Sequence, residues 1–72
     1  MIVQVLIEAG PRNWGASAAE GIGGVVLATG ATRDDVIRQF NEALSSHLEC
    51  LKELGKEVPS IDGYEVRELI PV

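Results

Sequence analysis

A glycine-rich stretch is the first place where this sequence could do chemistry. It reads NWGASAAEGIGGVVLATG, and its glycines are densest in GIGG at residues 21–24. Glycine-rich loops bind phosphate where they join a strand to a helix, because the free N–H groups at the helix N-terminus then face the anion. Here the glycines precede VVLAT, whose β-branched residues predict a strand. The order therefore favours a turn with positive φ angles over a nucleotide-binding loop.

The single histidine and the single cysteine are the next candidates. His47 lies among the leucines of an apolar helical stripe. A catalytic imidazole needs a group to orient it, and the sequence places none beside it. We therefore expect His47 at the edge of the stripe, hydrogen-bonded to the sheet or to solvent. Glu49 and Glu53 disfavour a reactive thiolate at Cys50, so we expect this residue to be a small buried hydrophobe.

The carboxylates are numerous but do not form a recognisable catalytic set. Glu8 and Glu20 lie near predicted strand ends, whereas Asp34 and Asp35 begin the helical segment. A two-metal nuclease needs several convergent carboxylates to hold its ions, and a zinc site needs clustered Cys and His residues. Neither pattern is present in the sequence. We therefore expect no enzyme activity, no cofactor and no metal.

The excess of acidic over basic residues limits the kinds of partner that the chain can bind. The chain has 11 Asp and Glu residues against 6 Lys and Arg residues, and a net charge of −5. Affinity for nucleic acid depends on clustered basic side chains that contact phosphates. The basic residues here are scattered, so we expect no direct binding to nucleic acid. An acidic protein instead complements a basic protein partner.

The length of 72 residues predicts one domain, covering residues 1–72. A domain of this size has a small core and needs a further source of stability, such as a disulfide, a metal or self-association. Cys50 is the only cysteine, so no disulfide can form within the chain. We therefore expect a homodimer or a higher homo-oligomer.

The sequence also predicts where the protein resides. No apolar run reaches the roughly 20 residues that a membrane span requires. The first residues, MIVQVLIE, lack the basic region and the small-residue cleavage site of a signal peptide. Together with the lone cysteine, these features predict a cytoplasmic protein that does not enter a membrane.

Hydrophobic periodicity predicts the elements that position these residues. Strands are predicted at residues 2–8, 14–19, 25–29 and 64–70, and an apolar stripe with spacings of three and four predicts a helix within 32–56. Thr32 is the predicted N-cap, Asp35 follows it by three residues, and Gly55 is the expected left-handed residue at the C-terminal end. The predicted fold is α+β: a three-stranded antiparallel meander, one long helix packed on one face and a short C-terminal strand (β-β-β-α-β).

Two segments are candidates for contacts between copies of the chain. Tyr64, Val66 and Ile70 share one face of the last predicted strand, and an uncovered strand edge is a template for pairing. We expect that deleting residues 64–72 weakens self-association. Trp14 is the only tryptophan, and both core packing and an interface role are open to it.

The order and spacing of several motifs resemble the HicB-like antitoxin family. Members have a short strand meander with an aromatic residue after the first turn, a strand that ends A-x-G-x-T, an acidic helix start and a helix end similar to hLexLxexGxxiP. The resemblance runs from about residue 3 to residue 59. The matching residues are Trp14, Ala28, Gly30, Thr32, Asp35, His47, Leu48, Gly55 and Pro59.

The resemblance implies a partial RNase H-like fold without nuclease chemistry. Such antitoxins bind and mask HicA, a small basic mRNA interferase, in type II toxin–antitoxin systems of bacteria. Many members add a C-terminal DNA-binding domain, which we do not expect here. The family usually has a P-x-L-x-G-C turn before its third strand, whereas this chain has EGIGGVVL. The alternative is an orphan, self-associating HicB-like domain with a structural or regulatory role and no toxin partner.

Overall fold

The fold is given by a computed structural model, which describes residues 1–69. The elements are, in chain order, β1 (Ile2–Ala9), β2 (Trp14–Ala18), β3 (Val26–Gly30), α1 (Arg33–Glu53) and β4 (Gly63–Leu69). The predicted α+β class and the β-β-β-α-β order are confirmed. Ile70, which we predicted at the end of the last strand, lies outside the described residues.

The four strands form one sheet in the order β3-β2-β1-β4. The first three strands are the predicted antiparallel meander, with Leu6 opposite Ser17 and Ser17 opposite Leu27. The last strand pairs in parallel with β1, with Val5 opposite Val66. We did not predict this parallel pairing from the sequence. It follows from the helix, because a helical crossover returns the chain to the end of the sheet from which it started.

The core lies between the sheet and the helix. Alternate residues of β1 point towards α1, and the helix contributes buried side chains at spacings of four and seven. Ile22, in the glycine-rich turn, is also fully buried. The buried residues are Val3, Val5, Ile7, Ala16, Ala18, Ile22, Val26, Val36, Phe40, Leu44 and Leu51.

Both ends of α1 have the predicted caps. The Thr32 hydroxyl accepts a hydrogen bond from the backbone N–H of Asp35 at 3.1 Å. At the other end Gly55 has a φ of +71°. The N–H groups of Gly55 and Lys56 donate to the carbonyls of Lys52 and Leu51 at 3.1 and 2.9 Å, which is a Schellman motif. The helix therefore ends three residues before the end of the predicted helical range.

Two residues near the end of α1 differ from expectation. Cys50 is exposed, so the prediction of a buried hydrophobe is wrong. It precedes the buried Leu51, and one residue along a helix turns the side chain by about 100° away from its neighbour. Leu54, the last residue of the predicted stripe, is 65% exposed because it lies at the helix cap and outside the core cluster.

Contacts between distant parts of the chain hold β4 in place. The backbone N–H of Asp62 donates to the Met1 carbonyl at 2.9 Å, just before β4 begins. Further along, Arg33 Nε at the start of α1 donates to Glu68 Oε1 at 2.7 Å. This hydrogen bond raises the pKa of the Arg33 guanidinium above its ordinary value. In the chain from residue 1 to 69, no helix is apolar enough over a sufficient length to cross a membrane.

Gly30 marks the closest approach between β3 and the helix. A Cβ atom at this position would lie 2.5 Å from the backbone nitrogen of Val36 and 2.9 Å from the carbonyl carbon of Asp35. Both are backbone atoms of a capped helix turn, so they cannot move without disturbing the cap. Only glycine fits here, which explains the glycine in the A-x-G-x-T segment.

We expect Gly30→Ala to lower the free energy of unfolding by roughly 1–3 kcal/mol, as overpacking in a core does. Gly15→Ala is the matched control, since Gly15 also lies in a strand and its added Cβ would meet its nearest neighbour only at 4.0 Å. That variant should change stability by no more than about 0.5 kcal/mol. Urea unfolding of both variants measures the difference, and equal effects would contradict the close approach.

Candidate functional site

The sheet has one face covered by the helix and one face without a covering element among residues 1–69. We call the second surface the open face. The alternating residues of β1 that point away from α1 define it, together with their neighbours on the other strands. Its residues are Ile2, Gln4, Leu6, Glu8, Gly15, Ser17, Leu27, Thr29, Gly63, Glu65, Arg67 and Leu69.

Leucine side chains form an apolar part of the open face, in a row that runs inward from the edge strand β3. Leu6, Ser17 and Leu27 lie in one row across three strands. Leu27 is 69% exposed, and Val25, just before β3, is 64% exposed. Two depressions of about 490 and 320 Å³ share the row Leu6–Ser17–Leu27. An exposed apolar surface on a sheet face is typical of a protein-binding site rather than of a solvated surface.

The border of this apolar row is acidic. Glu8 lines one depression, and Glu20 and Glu65 line the other. Arg67 is the only basic residue that lines either depression. Three carboxylates against one guanidinium give the open face a net negative charge. The face therefore combines apolar contact area with an electrostatic preference for a basic partner.

The glycine-rich turn has a structural role that involves His47. Gly21 and Gly23 have φ angles of +75°, which confirms the predicted turn, and the turn leads into β3 rather than into a helix. Nε2 of His47 lies 2.6 Å from the carbonyl oxygen of Ile22. A carbonyl oxygen can only accept, so Nε2 carries the proton and donates. His47 thus stabilises the turn that places Ile22 in the core. We expected its hydrogen bond to go to the sheet or to solvent instead.

The space around His47 also requires glycine in the turn. A Cβ atom at Gly24 would lie 3.1 Å from Cε1 of the imidazole, and the φ angle there is +156°. Beyond the turn carbonyl, no side chain orients the ring among the hydrogen bonds of residues 1–69. Within the same residues, no three His, Cys, Asp or Glu side chains are grouped so that they could hold a metal ion.

The candidate interface residues do not form one patch. Trp14 is half-buried against the core and pairs with Ala9, at the C-terminal end of β1. Tyr64 pairs with Val3 near the opposite end of β1, and it is 51% exposed. Six residues of β1 separate these positions, which is about 20 Å in a strand. Tyr64 and Val66 therefore remain together as one exposed surface, and Trp14 belongs to another region.

The residues that carry the resemblance to HicB-like antitoxins mostly shape the backbone. Thr32 caps α1, Gly55 ends it and Gly30 lets it approach β3. Leu48 and Ala28 pack against the core at its edge. The motif thus describes how this fold is built, while the open face consists of other residues. We did not predict Leu27 and Val25 as surface residues. Both flank the buried Val26, and alternation along an extended segment turns the neighbours of a buried residue outward.

We expect His47→Ala to lower the free energy of unfolding by about 1 kcal/mol, because one hydrogen bond to the turn is lost. Amide hydrogen exchange should also become faster at residues 21–24. Ser46→Ala is the control, since Ser46 is the exposed neighbour on the same helix. Unchanged exchange in the turn after loss of the imidazole would show that His47 does not hold it.

Comparisons of this chain with protein-family models, with curated proteins and with solved structures give no significant match.

Proposed function

We propose that this chain is a non-catalytic binding module of the antitoxin type, which masks a small basic protein with the open face of its sheet. The observation that carries the proposal is the exposed Leu27 on a face whose depressions are also lined by Glu8, Glu20 and Glu65. Apolar area gives affinity, and the surrounding carboxylates select a basic partner and speed its approach. The net charge of −5 also favours a basic partner.

The resemblance to HicB-like antitoxins supports a particular partner class. In that family the basic partner is HicA, an mRNA interferase whose RNA-binding surface is positively charged. A face that combines apolar side chains with several carboxylates is suited to cover such a surface. We therefore propose a type II toxin–antitoxin pair in the bacterial cytoplasm, in which this chain inhibits its partner by occupying it.

The arrangement of side chains favours binding over catalysis. Nε2 of His47 donates its proton to the Ile22 carbonyl. The carboxylates of the open face lie on separate elements, and Glu8 and Glu20 line different depressions. Both depressions are shallow and lie on the surface of a sheet. Small molecules usually bind in clefts or enclosed cavities instead. These features support the proposal that the chain is not an enzyme and acts through protein contacts alone.

A second function is favoured by a different observation. Tyr64 and Val66 are half exposed at the outer strand of the sheet. This surface supports the alternative of an orphan domain that associates with itself and has a structural or regulatory role. The two functions are distinguished by the presence of a basic partner, because only the first requires one.

The test is co-purification with the product of the adjacent gene, if it encodes a small basic protein, and measurement of the affinity by calorimetry. We expect a complex, and we expect the double variant Glu8→Lys/Glu20→Lys to weaken it at least tenfold, about 1.4 kcal/mol. The matched control is Glu42→Lys/Glu49→Lys on the exposed side of α1, which changes the net charge equally. The control should bind within about threefold of the original chain.

Three outcomes would count against the proposal. Absence of a complex with any such product would remove the antitoxin function. Equal weakening by both double variants would show that net charge acts without the open face. Unchanged affinity of the Glu8/Glu20 variant would place the interface elsewhere.

A further inference from the structure

The last strand forms an edge of the sheet that nothing covers within residues 1–69. β4 pairs with β1 on one side only, and the helix packs on β3 and β2 at the other half of the sheet. The backbone N–H and C=O groups on the outer side of such a strand are free to pair with another strand. β4 is seven residues long, and none of them is proline. The edge therefore lacks the residue that most directly prevents pairing.

Apolar surface adjoins this edge on the side of the sheet that carries the helix. Tyr64 is 51% exposed and Val66 is 48% exposed. They border a groove of about 160 Å³, whose floor and opposite wall are apolar side chains of β1, β2 and α1. The groove residues include Val5, Ile7, Ile37 and Phe40. The edge thus offers both backbone pairing and an apolar strip beside it.

We infer that β4 pairs antiparallel with β4 of a second copy of this chain, about a two-fold axis beside Val66. An axis perpendicular to the sheet keeps the two helices on the same side. Paired residues of the two strands must then point to the same face of the sheet. One residue at the axis therefore lies opposite the same residue of the second copy. This restricts the register to a few possibilities, which the charges of the strand distinguish.

The charge pattern of β4 is complementary to itself in one register. With Val66 opposite Val66, Glu65 lies opposite Arg67 of the second copy, and the same pair forms again on the other side of the axis. Centring the pairing on Glu65 or on Arg67 would place like charges directly opposite each other, which destabilises a sheet. Glu65 and Arg67 thus select the register centred on Val66.

Neither charge is satisfied by the neighbouring strand. Glu65 lies beside Gln4 of β1, and Arg67 lies beside Leu6. No salt bridge within residues 1–69 includes Glu65 or Arg67. The opposite charges in the second copy are therefore the cross-strand partners that the chain itself does not provide.

This interface is independent of the proposed basic partner. It uses the outer edge of β4, whereas Leu27, Glu8 and Glu20 remain accessible on the open face. A second copy bound here also places Val66 next to Val66, so the apolar strips of both chains meet at the axis. A homodimer thus continues one sheet across eight strands.

The test is sedimentation velocity on the full chain and on charge-reversed variants. We expect a dimer for the original chain. Glu65→Arg and Arg67→Glu should each weaken dimerisation about tenfold or more, because each places like charges opposite at two positions. The double variant Glu65→Arg/Arg67→Glu should restore dimerisation, since it reverses both members of each pair. Glu57→Arg and Lys52→Glu, both exposed and outside the strands, are controls with the same charge changes.

Disulfide formation between the two copies tests the position of the two-fold axis directly. In a Cys50→Ser background, Val66→Cys should give a disulfide-linked dimer on mild oxidation, because the two residues lie opposite each other at the axis. Leu27→Cys, exposed on the open face, should give much less.

A monomeric original chain at every accessible concentration would overturn the inference. It would also be overturned if the single variants behaved like the controls, if the double variant failed to restore the dimer while remaining folded by circular dichroism, or if Leu27→Cys crosslinked as readily as Val66→Cys.

Discussion

One helix packs on a sheet of four strands, and the helix is narrower than the sheet. The exposed surfaces of this protein depend on that difference in width. A helix with its side chains is about 10 Å in diameter, whereas four strands spaced about 4.8 Å apart form a sheet roughly 19 Å wide. The helix packs on β3 and β2 and on the inward side chains of β1. It leaves β4 at the border and leaves the opposite face of the sheet exposed.

The two uncovered surfaces have different chemistry and therefore different uses. The open face has an apolar row with a carboxylate border, and this composition selects a partner of opposite charge. The β4 edge carries one acidic and one basic residue on either side of a valine, and this arrangement complements itself. A small domain can thus present a hetero-interface and a homo-interface without conflict, since they occupy the face and the edge of one sheet.

Features governed by local sequence were predictable, and features governed by pairing were not. The Thr32 cap and the Gly55 terminus depend on residues within a few positions of each other, so their signals are readable from sequence alone. The parallel arrangement of β4, the bond between His47 and the Ile22 carbonyl, and the exposure of Leu27 all depend on contacts between distant segments. Cys50 was misplaced for a related reason, since a stripe predicts a helix face only to within about one residue.

The candidate site also combines features set by local sequence with features set by contacts between distant segments. The residues that carry the resemblance to HicB-like antitoxins are recognisable in the sequence because they set caps, turns and close approaches. The open face comes from the alternation of β1 combined with the register of three other strands, and no short motif encodes it. The resemblance and the open face are therefore separate grounds for the proposed antitoxin-type function, one from the construction of the fold and the other from its surface.

The most direct measurement is the relaxation of methyl NMR signals by a soluble paramagnetic probe, applied to the protein without a partner. The account predicts strong broadening for the methyl groups of Leu27 and Val25, which line the open face. It predicts protection for Val66 at the dimer axis, as complete as for the core residue Val36. Protection of Leu27 together with broadening of Val66 would contradict it, because the open face would then be the surface that the protein covers by itself.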